Sequence, residues 1–365
     1  MTATVPRPAS GRPTLRDRAL RFAEFVTSPL LPSDYLDLID PLRSGADLRG
    51  RIEAVLPETP DSATVVIRPG RGWKGHVPGQ YVRIGIDVDG VRQWRAYSIT
   101  SVLDRADGCF TITVKAIPDG RVSNHLVRRA RPGTLVQLDQ ATGDFVLPPE
   151  VPAKSLFVTA GSGITPVMGM LRNRAADDAC DVVVVHSAPT ADDVIFGSEL
   201  REHAATGRIR LVEQHTDAAG LLSPAALASL VPDLAERRTW ACGPVAMLEA
   251  LEEHWAEAGL ADKLHTERFR PRVLVTGEGG TVSFTKAGTT VEAGGATPIL
   301  DAAEQAGVLM PSGCRMGICY GCVLPLREGA VRDLRNGEIT TAAPGDGVLV
   351  QTCISAAAGA CDIDH

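Results

Sequence analysis

The sequence predicts three folded units in series: a small antiparallel β-barrel, a doubly wound parallel α/β domain, and a C-terminal α+β unit. Three observations lead there. Between about Asp47 and Pro148, short runs rich in Val, Ile and Thr alternate with Gly and Pro turns, the pattern of a small antiparallel barrel. Between about Lys154 and Arg270 the rhythm is strand, helix, strand, and Asp181–His186 is a continuous apolar run, as befits a strand covered on both faces. Beyond Pro271 come a hairpin, one helix and a loop of regularly spaced cysteines. A chain of 365 residues can hold two or three ordinary cores. The expected organisation is an N-terminal extension over 1–46, the barrel over 47–150, the α/β domain over 151–270, a linker over 271–280 and the last unit over 281–365.

Within the extension, Leu15, Leu20, Phe22, Ala23 and Val26 recur at helical spacing until Pro29 and Pro32 interrupt them, so Leu15–Ile39 reads as a segment that packs on the next domain or docks on a partner or membrane surface. In the barrel, strands are expected at Leu48–Val55, Ser62–Arg68, Gln80–Ile86, Arg92–Ser98, Cys109–Ala116 and Leu135–Leu138. In the α/β domain they are expected at Ser155–Ala160, Asp181–His186, Arg208–Val212 and Arg238–Cys242, with a helix running from Pro166. The last unit should hold a hairpin of Thr281–Thr285 with Thr289–Glu292, a helix over Ile299–Ala306, and a strand at Val348–Gln351 leading to Cys353.

The formal net charge of −7 argues against a nucleic-acid partner. The N-terminus has no apolar core of a signal peptide, and no run of eighteen apolar residues exists, so a cytoplasmic protein that does not span a membrane is expected. Of eight cysteines, Cys314, Cys319, Cys322 and Cys353 form the C-x4-C-x2-C…C spacing of a plant-type 2Fe–2S site, and four are scattered, which is no secreted disulfide framework. Ser312, Gly313, Gly317 and Gly321 let the backbone wrap closely round such a cluster. Structural zinc is the rival, but it usually shows two tight pairs rather than a triplet and a distant fourth thiol.

Two further segments carry chemistry. Arg95 and Tyr97 share one face of a strand end, with Ala96 and Ser98 on the other; a guanidinium beside a phenol suits a phosphate next to a flat ring. Gly120, Arg121, Val122 and Ser123 open a short helix whose backbone N–H groups suit a pyrophosphate. Downstream, Gly161, Ser162, Gly163, Ile164, Thr165 and Pro166 join a strand to a helix, and two glycines let backbone approach a phosphate there. This is not G-x-G-x-x-G, because Pro166 stands where the third Gly would be. Cys242, Gly243 and Pro244 end a later parallel strand, where α/β sheets bind ligands, although Cys242 also reads as a small buried hydrophobe.

These motifs, in this order, resemble the ferredoxin–NADP reductase superfamily, in the branch with a C-terminal plant-type ferredoxin domain of β-grasp fold. The resemblance implies that Arg95, Tyr97 and Ser98 contact a flavin, that Gly120 to Ser123 hold its pyrophosphate, which favours FAD over FMN, and that Gly161 to Pro166 and Cys242 to Pro244 line the nicotinamide nucleotide site. Glu267 resembles the carboxylate near the nicotinamide in some relatives, or is simply solvated. Ser98, Cys242 and Glu267 are therefore the candidates closest to the chemistry. A narrower resemblance, in Leu30 to Tyr35, Asp40 to Leu42 and His186 to Thr190, is to actinobacterial reductases that feed membrane acyl-CoA desaturases.

The implied function is transfer of electrons from NAD(P)H through FAD and a 2Fe–2S cluster to an external oxygenase or desaturase. Reductases of Rieske or di-iron hydroxylases and of cytochromes P450 share the layout. The rival of another class, a cysteine-based redox or metal sensor, leaves the Arg95–Ser98 and Gly161–Gly163 motifs unexplained. For the nucleotide, His186, Ser187 and Thr190 follow the second parallel strand with Asp192 and Asp193 behind them, while Arg208 and Arg210 approach from the next strand. This local chemistry leaves NADH and NADPH open, and the desaturase-reductase resemblance leans to NADPH. The linker and last unit hold six basic and ten acidic residues, 6 − 10 = −4, a lobe suited to a basic partner.

Overall fold

The computed structural model describes residues 39–43, 47–88, 90–118, 120–150, 152–175, 180–269, 275–313, 315–317 and 320–365. The expected Leu15–Ile39 segment lies outside the described residues up to position 38, as do 44–46 and the linker positions 271–274.

Six strands build the first unit: β1 (Arg49–Thr59), β2 (Ser62–Pro69), β3 (Tyr81–Val88), β4 (Val91–Ser98), β5 (Phe110–Lys115) and β6 (Leu135–Leu138). They pair antiparallel in the order β4-β3-β6-β1-β2-β5. An antiparallel bridge between Ile99 and Ile112 joins the two ends of that order, so the sheet closes on itself as the alternating pattern predicted. Val82, Ile84, Ile86 and Val88 of β3 point inward together, and helix α1 (Arg121–Arg128) adds Val122 and Leu126 to the same core.

The second unit is a five-stranded parallel sheet of β7 (Lys154–Ala160), β8 (Asp181–Ala188), β9 (Arg210–His215), β10 (Arg238–Cys242) and β11 (Leu264–Glu267), in the order β11-β10-β7-β8-β9. Helices α2 (Ile164–Arg172), α3 (Gly197–Ala205), α4 (Thr216–Ala219), α5 (Pro224–Leu230) and α6 (Val245–Glu257) connect the strands. The valines of β8 show why the sheet is doubly wound. Val182 and Val184 enter a core shared with α2 and α3, whereas Val183 and Val185 enter the opposite one with α5 and α6. Two expectations need correction. α2 begins at Ile164, not Pro166, because Gly161–Gly163 form a 3-10 turn that runs directly into it and the Thr165 hydroxyl donates to the Ser162 carbonyl at 2.9 Å. Pro166 loses no hydrogen bond there, since N–H groups of a first turn have no helical acceptor. The third strand starts at Arg210 rather than Arg208.

The third unit pairs β12 (Gly280–Phe284) and β13 (Thr289–Ala293) as the expected hairpin and packs α7 (Ile299–Gln305) on the sheet through Ile299, Leu300, Ala302 and Ala303. β14 (Val323–Asp333), β15 (Ile339–Ala342), β16 (Leu349–Gln351) and β17 (Ser355–Ile363) complete it, in the order β13-β12-β17-β14-β15 with β16 on β14. β17 is central yet reads Ser-Ala-Ala-Ala-Gly-Ala, a composition that favours helix locally. Pairing on both edges overrides that preference: β17 runs parallel to β12 and antiparallel to β14. Among the described residues, no helix is long and apolar enough to cross a membrane.

The first two units are locked by α2. Its Arg172 donates Nη1 to the Thr100 carbonyl at 2.6 Å, and Asn173, at the helix end, donates to the Ser101 carbonyl at 3.0 Å. Between them, Gly169 lies so close to the barrel that a Cβ there would come within 2.4 Å of the Ile99 carbonyl oxygen. Replacing a helical Gly by Ala normally gains about 1 kcal/mol, but overpacking against backbone costs about 1–3 kcal/mol. Gly169→Ala should therefore lower the midpoint of chemical denaturation and weaken flavin retention, as read from flavin absorbance after dialysis.

Candidate functional site

The C-terminal end of β4 presents the first group of residues. Arg95 and Tyr97 are part-buried and Ser98 is buried. Arg95 donates Nη1 to the Trp94 carbonyl at 2.8 Å, and its pKa is pushed down to about 10 by burial and by the neighbouring charge of Arg315. Tyr97 packs on the barrel core, and burial raises its hydroxyl pKa well above the ordinary tyrosine value. The Ser98 hydroxyl is fully enclosed and finds no hydrogen-bond partner among the described residues. A buried, unsatisfied hydroxyl is costly unless a ligand completes it, so this strand fits a group that presents a hydrogen-bonding edge beside Ser98.

Gly120 is the N-cap of α1. The Ser123 hydroxyl is already used to brace that turn: it accepts from the Ile117 N–H at 3.3 Å and donates to the Gly120 carbonyl at 3.2 Å. Val122 points into the barrel core. What this segment can offer an anion is the backbone of the first helical turn rather than side chains.

The parallel sheet changes winding direction at β7 and β10, with β8 and β9 on one side and β11 on the other. A crevice outside the carboxyl ends of the strands is expected at such a point. Gly161–Gly163 leave β7 there, with Gly161 at φ 53°, and Cys242, Gly243 and Pro244 leave β10 beside them. The two turns touch: a Cβ on Gly163 would fall 2.0 Å from the Cys242 carbonyl oxygen. Cys242 is wholly buried, in register with Thr159 on one side and Glu267 on the other. Burial, with Glu267 nearby, raises its thiol pKa well above the usual range, so it stands as a neutral thiol.

Glu267 is part-buried rather than freely solvated. It ends β11, a short polar strand that periodicity does not reveal, and its Oε2 is buried without a partner among the described residues. Burial pushes its pKa up to about 8. It lines a cavity of about 810 Å³ at the junction of all three units, with Tyr81 and Phe145 from the barrel side and Met316 from the cysteine loop. His186, by contrast, is fully buried; its Nδ1 is 2.8 Å from the Thr159 hydroxyl, and burial lowers its pKa to about 4. It is therefore a neutral core residue and not a contact for a nucleotide phosphate. Arg208 and Arg210 are exposed, and each already donates to a backbone carbonyl, of Arg174 and Leu230 respectively.

In the cysteine loop, Cys314 and Cys319 lie outside the described residues. Cys322 and Cys353 are both buried, and the segments bearing them are tied together, because Thr352 donates its N–H and its hydroxyl to the Cys322 carbonyl at 3.2 and 2.9 Å. Gly317 has φ 74°, and a Cβ on it would strike Arg335 and Ile354, so the loop folds back tightly there. Two buried thiols brought together under a loop of this curvature fit thiolate ligation of a cluster. Among the scattered cysteines, Cys361 sits in the core of the last sheet with its pKa raised to about 11 by burial. The loop also reaches the barrel through Arg315, whose charge is felt by Arg95 and Tyr97. Sequence reasoning did not single out Arg315, Met316 or Glu304, because nothing in local pattern says which face of the last unit meets the first.

The chain matches family models described as an oxidoreductase FAD-binding domain over residues 73–147, an oxidoreductase NAD-binding domain over 157–253 and a 2Fe-2S iron-sulfur cluster binding domain over 284–358. It is 49% identical over 350 residues to an NADPH oxidoreductase of Mycobacterium tuberculosis, covering 94% of this chain and 91% of that one. The chain belongs to the ferredoxin–NADP reductase superfamily, in the branch with a C-terminal 2Fe–2S domain. It is also 30% identical over 310 residues to the glycine betaine monooxygenase reductase subunit of Chromohalobacter salexigens, covering 76% of this chain and 84% of that protein. Its fold matches that of phthalate dioxygenase reductase with a TM-score of 0.60 at 19% identity, over 87% of this chain and 97% of that one. This superfamily member is thus an NAD(P)H oxidoreductase built on FAD and a 2Fe–2S cluster.

The raised pKa of Glu267 sets a direction for stability against pH. Its folded value, about 8, lies above the ordinary 4.5, so the folded protein holds this proton more tightly than the unfolded chain does. The resulting stabilisation is complete below about 4.5 and is lost as pH rises through about 8. Thermal denaturation across that window should fall less steeply for Glu267→Gln than for the wild type; parallel curves would show that the carboxyl is not held neutral.

Proposed function

We propose that this reductase draws on NADPH and hands single electrons to a separate oxygenase or desaturase. The observation that carries the reading is the meeting of the cysteine loop with the flavin strand, where Arg315 and Arg95 share the carboxylate of Glu304. That contact supports a path entering through the α/β domain and leaving through the C-terminal lobe. The monooxygenase-reductase relative supports an oxygenase as acceptor, and the NADPH oxidoreductase relative supports NADPH.

In this reading Arg95 and the first turn of α1 hold flavin phosphates, Tyr97 covers the ring, and Ser98 donates its free hydroxyl to the ring edge. Gly161 to Pro166 and Cys242 to Pro244 line the nucleotide, with neutral Cys242 excluding water beside it. Glu267 holds a proton on its enclosed carboxyl at the same place. Cys314, Cys319, Cys322 and Cys353 ligate the cluster. When bound, the flavin supplies the exchange between a two-electron hydride donor and a one-electron acceptor, and the protein supplies position and electrostatics.

Anaerobic NADPH should bleach the flavin absorbance first and the cluster absorbance second; a spectrum in which neither changes would sink the reading. Cys353→Ser should lose iron while keeping flavin and its bleaching by NADPH, and a normal iron content in that variant would refute the ligand assignment. The acceptor is found by mixing the reduced protein with candidate oxygenases and with membrane-bound desaturases and scoring product, and kcat/KM for NADPH against NADH tests the nucleotide.

A further inference from the structure

We propose that Glu304 is a positioning residue, a clamp that seats the cluster loop against the flavin strand by sharing one carboxylate between two arginines of different domains. The inference rests on the reading that Arg95 stands at the flavin. Glu304 lies on α7. Its Oε1 accepts from Nη2 of Arg315, the residue that follows Cys314, and the same oxygen lies 3.8 Å from Nη2 of Arg95 on β4. Asp301, one turn earlier on α7, takes the other arm of Arg315 at 2.9 Å, and its charge acts on Arg95 through space, more weakly than that of Glu304. The side chains of Glu304 and Arg95 are 18% and 20% exposed, so this pairing is partly desolvated and is screened less than a surface ion pair.

Arg315 also holds a left-handed backbone at φ 60°, a conformation that a residue with a side chain keeps only where its surroundings over-determine it. Asp301 and Glu304 of α7 hold the two arms of its guanidinium. Without Glu304, Arg95 and Arg315 would face each other as like charges with the carboxylate they share gone and only the weaker pull of Asp301 left, so the contact would weaken. Passage of one electron from the reduced flavin to the oxidised cluster falls off steeply with the gap between them. The clamp therefore governs that step and leaves the earlier hydride step, which belongs to the other two domains, unaffected.

The test uses the full-length protein loaded with FAD and cluster, as wild type, Glu304→Gln and Asp301→Asn. Anaerobic stopped-flow with NADPH separates flavin bleaching from cluster bleaching, and small-angle scattering reads the seating of the lobe without turnover. Glu304→Gln should keep its iron, flavin and rate of flavin bleaching. Its cluster bleaching should slow about tenfold, the change expected when a partly buried charge pair is lost from a docking equilibrium. Its scattering profile should also broaden. Asp301→Asn, which keeps the shared carboxylate and loses one arm of Arg315 and a weaker attraction to Arg95, should change both much less than Glu304→Gln does. Unchanged cluster bleaching and scattering in Glu304→Gln would overturn the proposal. So would an equal effect from Asp301→Asn, or loss of iron from Glu304→Gln, since either would make Glu304 a local brace of the loop. Arg95→Ala that retains its flavin through dialysis would instead sink the reading of Arg95 as a flavin contact, an outcome distinct from any in the Glu304 comparison.

Discussion

Helix α2 is the constraint on which the rest of the molecule depends. Its leading turn, Gly161–Gly163, presses on the backbone of Cys242, its middle at Gly169 presses on the carbonyl of Ile99, and Arg172 near its end donates to Thr100. One rigid element thus touches the end of β10 at one extremity and the residues just beyond Ser98 at the other. The two glycines are needed because backbone meets backbone at both points, where even a methyl group has no room. Arg172 is itself held by a two-armed pair with Glu199 and lies over the ring of Phe196, which fixes its direction toward the barrel.

Around that axis, three titratable groups on the parallel strands are pushed toward their neutral forms by burial. Cys242 is a thiol, Glu267 holds its proton up to about 8, and His186 is uncharged above about 4. Positive charge comes from Arg95 of the barrel and Arg315 of the cysteine loop, which share the carboxylate of Glu304.

Electrostatic contacts from Arg315 and Glu304 to Arg95 are among those that join the C-terminal lobe to this centre. A pairing of that kind holds a domain in one orientation while allowing it to be displaced, unlike the apolar cores within each unit. The exposed face of the same loop carries Tyr320, 69% exposed and in a left-handed backbone at φ 55°, so the loop is buried toward the flavin side and open at its rim.

Much of this was legible in the chain. Alternation at β3 and the paired valine faces of β8 are local patterns of period that correspond to what folding did with them, and the cysteine spacing is a local pattern that falls within the matched 2Fe-2S domain. So did the strand-end placement of Arg95 to Ser98 and of Cys242. Other features were decided by tertiary structure alone. Alanine-rich β17 is a strand because neighbours pair with it on both edges, β11 is seen only as the partner of β10, and His186 is core because Thr159 and two layers of helices enclose it. Glu267 is held toward its neutral form, and Glu304 meets Arg95, for the same reason. The sequence by itself determined which residues could do the chemistry, because motif spacing is written along the chain. Only the tertiary structure decided which of them meet and in what charge state, because burial and proximity between distant segments have no local signature.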